Sequence, residues 1–393
     1  MTKITFLGDI MFDFSMVEEC RKNGIPLDNV CFSRSVQHIS SILSESDYTF
    51  ANLETPISFD DTNLTYRKYE FNTSIQFAKA VKDAGVDFVT TANNHMLDRG
   101  MDGLLSTYKS LKSIGLRQCG INTDENSRFE IVEINGIKIG ILAYTYGTNA
   151  FSNRQYLSLK EHQLKAVNML QEQEGNISRL VSAKFGKKAS RIYDRIEGKV
   201  FPLNSESAIY EKRTLNLYRN HLIKQDMKQA RKKNVDLLVA CLHIGGQYRT
   251  EPLAYTKETA EWFIKRGCNA VICNHEHVIH GVSITSNRRL TAYALGNCLG
   301  SSGVTTGPYG RRSEYSIALH VYLKDDGSVD KYSFSILKTI LTDDKYFETW
   351  PVYDLLQVSD STDEYRKLLD ESLSAAYDFS GKEYNEIKVE MFF

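Results

Sequence analysis

The sequence has no apolar run near the roughly 18 residues that a membrane-spanning helix requires. Its first residues, MTKITFLGD, lack the apolar core and the cleavage site of a signal peptide. We therefore expect a soluble cytoplasmic protein without a membrane span. The net charge of −1 gives no overall field that would attract nucleic acid or an anionic membrane, so we expect no nucleic-acid partner.

The cysteines show neither a disulfide framework nor the spacing of a zinc finger. There are seven of them, an odd number, and no Cys-x-x-Cys pair occurs. Four lie within or beside apolar runs: Cys241, Cys268, Cys273 and Cys298. This placement indicates reduced thiols in a core, which is typical of a reducing compartment.

The chain has ample material for a large core, since 42% of its 393 residues are hydrophobic. Apolar patterns alternate between strand and helix spacing, which predicts the α/β class with a mostly parallel sheet. The predicted strands are 3–7 (turning at Gly8-Asp9), 47–53, 86–91, 235–242, 269–273 and 290–295. The predicted helices are 32–43, 75–84, 103–114, 256–266 and 362–377. Asn135-Gly136 predicts a hairpin between 129–134 and 138–146, and 315–323 is expected to pair with 331–341.

Residues 149–222 differ from the rest because they are polar, helical in pattern and partly basic. The basic residues are Arg179, Lys184, Lys187, Lys188, Arg191, Arg195 and Lys199. We interpret this segment as a solvated helical insertion, with a lid or an anion-gathering patch as the alternative. The predicted organisation is a domain of residues 1–345 that contains the insertion, and a helical tail of residues 346–393 packed on it.

Potential metal ligands follow five of the predicted strands. They are Asp9, Glu54, Asn94 with His95, His243, and His275 with His277. The richest stretch is VDFVTTANNHMLDRG, which begins as a buried strand and ends in polar residues that include Asp98. Because ligands bind beyond the carboxyl ends of parallel strands, we expect these side chains to meet in one site.

His275 and His277 lie two residues apart, so they would face one cavity if the backbone between them stays extended. Oxygen and nitrogen ligands without thiolate suit Mn²⁺, Fe or Zn²⁺. We expect one or two divalent ions, since a carboxylate shared by two ions is the usual two-metal arrangement for hydrolysis. An imidazole that binds no metal can protonate the leaving group.

Six motifs occur in the order found in one family. They are GDIM at Gly8, NLETP at Asn52, ANNHMLDRG at Ala92, LHIGGQY at Leu242, His-x-His at His275 and YALGN at Tyr293. In these the chain resembles the bacterial capsule synthesis proteins of the CapA or poly-γ-glutamate synthesis type, a branch of the calcineurin-like metallophosphoesterase superfamily. The resemblance implies a four-layer α/β/β/α sandwich with a helical insertion.

The resemblance also implies roles for the candidate residues. Asp9 and His277 would bind the first metal, and Glu54 would bridge the two ions. The second metal would be held by Asn94, His243 and His275. His95 would protonate the leaving group, and Asp98 would orient it.

Several positions depart from the superfamily pattern. Met11 stands where histidine is usual, Glu54 where aspartate is usual, and Met96 where an acidic residue follows the catalytic histidine. Asn274 replaces a glycine, and Gln247 replaces a glutamate of many capsule-family members. Because a thioether is a poor ligand for Mn²⁺ or Zn²⁺, we expect the first metal site to be short of one ligand.

Three functions are open at this stage. The first is a metal-dependent hydrolase acting on a phosphoester, or on an amide bond of an anionic polymer or metabolite. The second is a non-catalytic accessory or binding protein for poly-γ-glutamate capsule biosynthesis, against which the absence of an N-terminal anchor argues. The third is a degenerate protein whose histidines merely pack. Arg67, Lys68, Arg99 and Arg249 could each contact an anionic substrate or be solvated surface charges, and the 301–312 loop is expected to border the cleft.

Overall fold

The computed structural model describes residues 1–26, 30–58, 64–65, 70–123, 127–149, 166–170, 186, 188–189, 192, 220–304, 313–359 and 361–393. The predicted insertion lies largely outside the described residues. Arg67, Lys68 and the second part of the 301–312 loop also lie outside them.

The described residues form seventeen strands and nine α-helices. The strands are β1 (Thr2–Ile10), β2 (Tyr48–Leu53), β3 (Ile57–Ser58), β4 (Thr73–Ser74), β5 (Phe88–Thr90), β6 (Arg117–Cys119), β7 (Glu130–Ile134), β8 (Ile137–Thr145), β9 (Leu237–His243), β10 (Ala270–Asn274), β11 (Ile279–Ile284), β12 (Leu290–Leu295), β13 (Asn297–Leu299), β14 (Tyr315–Leu323), β15 (Val329–Leu341), β16 (Phe347–Pro351) and β17 (Met391–Phe392). The helices are α1 (Phe14–Lys22), α2 (Phe32–Val36), α3 (Ser40–Leu43), α4 (Ile75–Asp83), α5 (Gly100–Ser113), α6 (Asn220–Lys232), α7 (Ala254–Lys265), α8 (Val352–Val358) and α9 (Thr362–Ser380). None of the described helices combines the length and apolar character needed to cross a bilayer.

Two large sheets organise these strands. The first has the order β16-β15-β14-β1-β2-β5-β6, with β13 also paired to β1 and β17 to β15. The second has the order β11-β12-β10-β9-β8-β7. In the first sheet β1, β2, β5 and β6 are parallel, and in the second β8, β9, β10 and β12 are parallel. In each sheet, the carboxyl-terminal ends of the parallel strands therefore lie along one edge, where a binding site can form.

Side-chain alternation along the strands produces three apolar cores. In β1 and β2, Ile4 and Phe50 face the second sheet, while Leu7 and Ala51 face α1 to α4. In the second sheet, residues such as Val239 point toward the first sheet, and their neighbours pack on α6 and α7. The strand period of two thus builds a helix-sheet-sheet-helix sandwich. The expected four-layer order is confirmed.

The C-terminal segment packs on the edge of this sandwich. Phe379 of α9 is fully buried against Phe334 of β15, with ring centroids 5.2 Å apart. In the loop before β17, Glu390 accepts a hydrogen bond of 2.8 Å from Nζ of Lys3 in β1. The division at residue 345 stays a prediction.

Several predicted elements have different bounds in the structure. The first strand does not turn at Gly8-Asp9. It continues to Ile10, because β13 replaces β14 as the neighbour of β1 after a break in register near Asp9. The predicted helix 32–43 is interrupted by a 3-10 turn at Gln37–Ile39. The edge strand β11 was not predicted.

Candidate metal centre

Asp9 lies in β1 at the position where β13 begins to pair with it in parallel. Its backbone N–H donates to the carbonyl of Gly296 (3.0 Å), directly before Asn297, its partner in the parallel register. Its carboxylate is fully buried and accepts hydrogen bonds from the Asn52 side chain (Oδ1, 2.7 Å) and the His275 backbone (Oδ2, 3.0 Å). These two donors fix the orientation of the carboxylate.

Glu54 follows β2 directly and lies at the centre of the site. Its backbone N–H donates to the carbonyl of Ile10, which holds it beside the end of β1 (2.9 Å). The side chain is fully buried, and neither carboxylate oxygen has a hydrogen-bond partner among the described residues. Oε1 lies 3.2 Å from Nε2 of His243 and 3.9 Å from Nε2 of His277. A buried carboxylate without hydrogen-bond partners is costly unless a cation compensates its charge.

His243, Asn94 and His275 converge from both sheets. Nε2 of His243, the last residue of β9, lies 2.6 Å from Oδ1 of Asn94, which follows β5. The same nitrogen lies 3.0 Å from Nδ1 of His275, which follows β10. His275 is fully buried, and its Nε2 has no hydrogen-bond partner in the described structure.

His275 and His277 approach each other, but not through an extended backbone. Their ring centroids are 5.8 Å apart. Their φ angles are +98° and +58°, so the condition of an extended backbone is not met. β10 ends at Asn274, and the chain then turns through backbone angles that are rare for residues other than glycine, so tertiary contacts must hold them in place. The turn, and not the strand period, brings the two imidazoles together.

His95 and Asp98 form a separate pair beside these residues. Nδ1 of His95 lies 2.6 Å from Oδ2 of Asp98, and Nε2 lies 3.9 Å from Oε1 of Glu54. Both side chains are buried. Burial alone lowers the pKa of His95, but the carboxylates, above all Asp98, outweigh it and raise this pKa above its ordinary value. The pair therefore favours a protonated imidazole.

The donor atoms fit divalent metal ions. Two groups of three side chains have ligand atoms within 4.8 Å of one another, one of Asp9, Glu54 and His243 and the other of Glu54, His275 and His277. Glu54 belongs to both groups, as a bridging carboxylate would. The unpaired atoms of Glu54 and His275 are consistent with such ions, because most buried polar groups in folded proteins have a hydrogen-bond partner.

The pKa shifts agree with this chemistry. Burial, with Glu54 nearby, raises the pKa of Asp9 well above its usual range. Burial lowers the pKa values of His243 and His275 well below theirs, which keeps both rings neutral. Neutral imidazole is the form that ligates a metal. A cation would favour the ionised carboxylates and the neutral imidazoles together.

All eight predicted residues therefore lie within one region of the structure. Met11 is buried and supplies no oxygen or nitrogen ligand. Arg249 is exposed and lines a cavity of about 640 Å³ beside His280. Arg99 precedes α5 and is half-buried.

Sequence reasoning missed four residues that contact the site. Asn52 and Asn297 were present in the recognised motifs but had no assigned role, and both form hydrogen bonds to proposed ligands. Phe71 stacks on His95, and Asn149 contacts both Asn94 and His95. No signal in the sequence points to Phe71. For Asn52 and Asn297, an amide inside each motif was the available signal.

Two curated proteins are similar to the chain. It is 25% identical over 333 residues to the capsule biosynthesis protein CapA of Bacillus anthracis, covering 83% of this chain and 64% of that protein. It is 21% identical over 329 residues to the PGA biosynthesis protein CapA of Bacillus subtilis (strain 168), covering 82% of this chain and 68% of that protein. The chain thus spans less than two thirds of the first relative.

A solved structure of a hypothetical protein from Thermus thermophilus aligns with a TM-score of 0.42 at 13% identity, covering 86% of this chain and 99% of that one. The model of the family described as bacterial capsule synthesis protein PGA_cap matches residues 3–302, which include all eight candidate residues. The chain belongs to this family.

Proposed function

We propose that the chain is a metal-dependent hydrolase that cleaves a phosphoester, or an amide bond of an anionic polymer or metabolite. The observation that carries the proposal is Glu54, a buried carboxylate with two unpaired oxygens shared by two groups of potential ligands. A structural carboxylate at such a position would be costly without a cation, because its desolvation is not compensated.

The proposed ligands are Asp9, Glu54, Asn94, His243, His275 and His277. Divalent ions bound by them, Mn²⁺, Fe or Zn²⁺, would activate water for attack and stabilise the negative charge that develops at the attacked centre. The resemblance assigns Asp9 and His277 to one ion and Asn94, His243 and His275 to the other. This distribution is part of the proposal.

His95 is the proposed acid for the leaving group. Asp98 accepts from Nδ1 of the ring, which leaves Nε2 to carry the proton that is transferred. Nε2 lies on the side of Glu54, so the leaving group would depart next to the ligand cluster. Asn93 supports this position, since its Oδ1 accepts a hydrogen bond from the backbone N–H of His95 (3.2 Å).

The test combines elemental analysis with turnover. Protein purified without chelator is expected to contain one or two equivalents of divalent metal and to hydrolyse members of a panel of phosphoesters and γ-glutamyl peptides. Asp9→Ala and His275→Ala should abolish turnover and reduce bound metal, while circular dichroism stays unchanged. The exposed Asn23→Ala is the control variant. Full activity of metal-stripped protein would refute the proposal.

A non-catalytic role in binding a capsular polymer is the second candidate, favoured by the family and by the names of the two relatives. It predicts co-sedimentation with poly-γ-glutamate and no hydrolysis of any member of the panel. Protein purified without chelator that contains no metal would refute the hydrolase and would favour the third interpretation, in which the histidines are packing residues.

A further inference from the structure

One face of the His95 ring is covered by Phe71. The two rings are parallel, with centroids 3.8 Å apart and an interplanar angle of 1°. The backbone N–H of Phe71 donates to Oδ2 of Asp98 across 2.7 Å. This is the same oxygen that contacts Nδ1 of His95. Asp98 therefore fixes both the edge of the imidazole and the residue stacked on it.

The other face is covered by Asn149. Its Nδ2 lies 3.3 Å from Nδ1 and 3.4 Å from Nε2 of His95. In the ring plane, equal distances to both nitrogens would bring Nδ2 into contact with the carbon between them, so Nδ2 lies over a face of the ring. Phe71 fills one face, and the amide lies on the opposite one.

Asn149 is itself held by Asn94. Its backbone N–H donates to the carbonyl of Asn94 (2.6 Å), and its Oδ1 accepts from Nδ2 of Asn94 (3.3 Å). The second contact also turns Oδ1 of Asn94 toward His243. One asparagine thus touches both a proposed metal ligand and the proposed acid.

We propose that Phe71 and Asn149 are positioning residues that lock His95 for protonation of a leaving group that departs poorly without a proton, such as the alkoxide of an aliphatic phosphoester. This inference rests on the proposed hydrolase function. An aliphatic alkoxide is a poor leaving group and departs readily only when it is protonated, whereas a nitrophenolate departs without help. An imidazole held on both faces and at Nδ1 suits the departure of an alkoxide, because proton transfer to the leaving oxygen requires a fixed geometry.

The proposed step is balanced in atoms and electrons. The oxygen of water forms the new bond to phosphorus and releases a proton to solvent. The ester oxygen leaves with the bonding electron pair and takes the proton from Nε2 of His95. The imidazole regains a proton from solvent, and the products are the alcohol and phosphate.

The first test compares leaving groups. For the Mn²⁺-loaded full chain, Phe71→Leu and Asn149→Ala should lower kcat/KM for alkyl phosphates by about tenfold or more, a part of the ~10²–10⁴ that a positioned acid contributes. Phe71→Leu should change kcat/KM for p-nitrophenyl phosphate by less than about threefold, since that bond needs no acid. Asn149→Ala also removes a contact to Asn94, so its loss on p-nitrophenyl phosphate should be larger but still smaller than its loss on alkyl phosphates. Phe71→Tyr should retain activity. The exposed residues Phe392 and Asn23 provide controls, as Phe392→Leu and Asn23→Ala. Equal losses on both ester classes would overturn the proposal.

The second test does not depend on turnover. The stacked Phe71 ring should shift the ring protons of His95 upfield in NMR spectra of histidine-labelled protein, with His95→Gln providing the assignment. Phe71→Leu should abolish this shift, and Asn23→Ala should not. A wild-type spectrum without the shift would overturn the positioning role. Metal-loaded protein that hydrolyses none of the esters would instead refute the hydrolase function, and the leaving-group assignment with it.

Discussion

Oδ1 of Asn297 lies 2.9 Å from Nδ1 of His277, and both side chains are buried. Asn297 lies opposite Asp9 in the parallel register of β1 and β13. With the carbonyl oxygen of the amide facing Nδ1, the imidazole carries its proton there and presents a free lone pair at Nε2 toward Glu54. The amide thereby selects the tautomer that can bind a metal.

Replacing Asn297 with alanine should weaken metal binding by about 10–100-fold, because partners of this kind orient a ligand and raise its basicity. Calorimetric titration of chelator-treated protein with Mn²⁺ measures the change. Asn23→Ala, on the exposed end of α1, is the matched control. An unchanged affinity in Asn297→Ala would show that His277 does not depend on this contact.

Asp98→Asn should lower kcat by roughly 10²-fold or more while metal content stays unchanged, because the acid loses its charged partner. Asp98 raises the pKa of His95. Its removal lowers that pKa, and an acid is active only below its pKa. The alkaline limb of the pH profile should therefore move to lower pH in the variant. A profile of kcat/KM against pH that keeps its alkaline limb in place would contradict this role.

Gly8→Ala should destabilise the protein, because a Cβ at this position would overlap the carbonyl oxygen of Gly296. The overlapping atom belongs to the backbone beside the pairing of β1 with β13, so the overlap cannot be relieved by the rotation of a side chain. We expect a loss of at least about 1–3 kcal/mol in the free energy of unfolding. Gly147→Ala is the control, since a Cβ there meets no atom of the described residues within 4 Å. Equal stability of the two variants in urea unfolding would be inconsistent with this close approach of Gly8 to Gly296.

His320, which lies outside the candidate metal centre, should make the free energy of unfolding depend on pH. It is fully buried between Thr5 (2.8 Å to Nδ1) and Ser335 (3.0 Å to Nε2). Burial, with Lys3 nearby, lowers its pKa to about 3. Between this value and an unfolded pKa near 6.5, the unfolded chain binds more protons, so the free energy of unfolding falls as the pH falls.

The variant His320→Gln should flatten that slope by up to about 1.4 kcal/mol per pH unit between pH 6 and pH 4. Urea unfolding at several pH values measures it. The exposed His221→Gln should keep the wild-type slope. The metal-site histidines contribute equally to all three proteins, so the difference in slope isolates His320. Identical slopes for His320→Gln and wild type would refute the pKa shift.

Much of the architecture was predictable from local patterns. The hairpin at Asn135-Gly136 is present, with φ angles of +52° and +82° at the two residues. Such a turn depends only on its own residues and on the strands beside it. The continuation of β1 through Asp9 was not predictable, because it depends on pairing with β13, which comes much later in the chain.

The sequence by itself determined the α/β class, the family motifs and the polar residues placed after strands. Strand period and turn chemistry are local properties, so they can be read without a fold. Only the tertiary structure decided that Glu54 has no hydrogen-bond partner among the described residues and that His275 and His277 meet through positive φ angles. It also decided that Phe71 and Asn149 enclose His95. These features depend on contacts between distant segments, because burial and backbone strain arise only when the two sheets pack together.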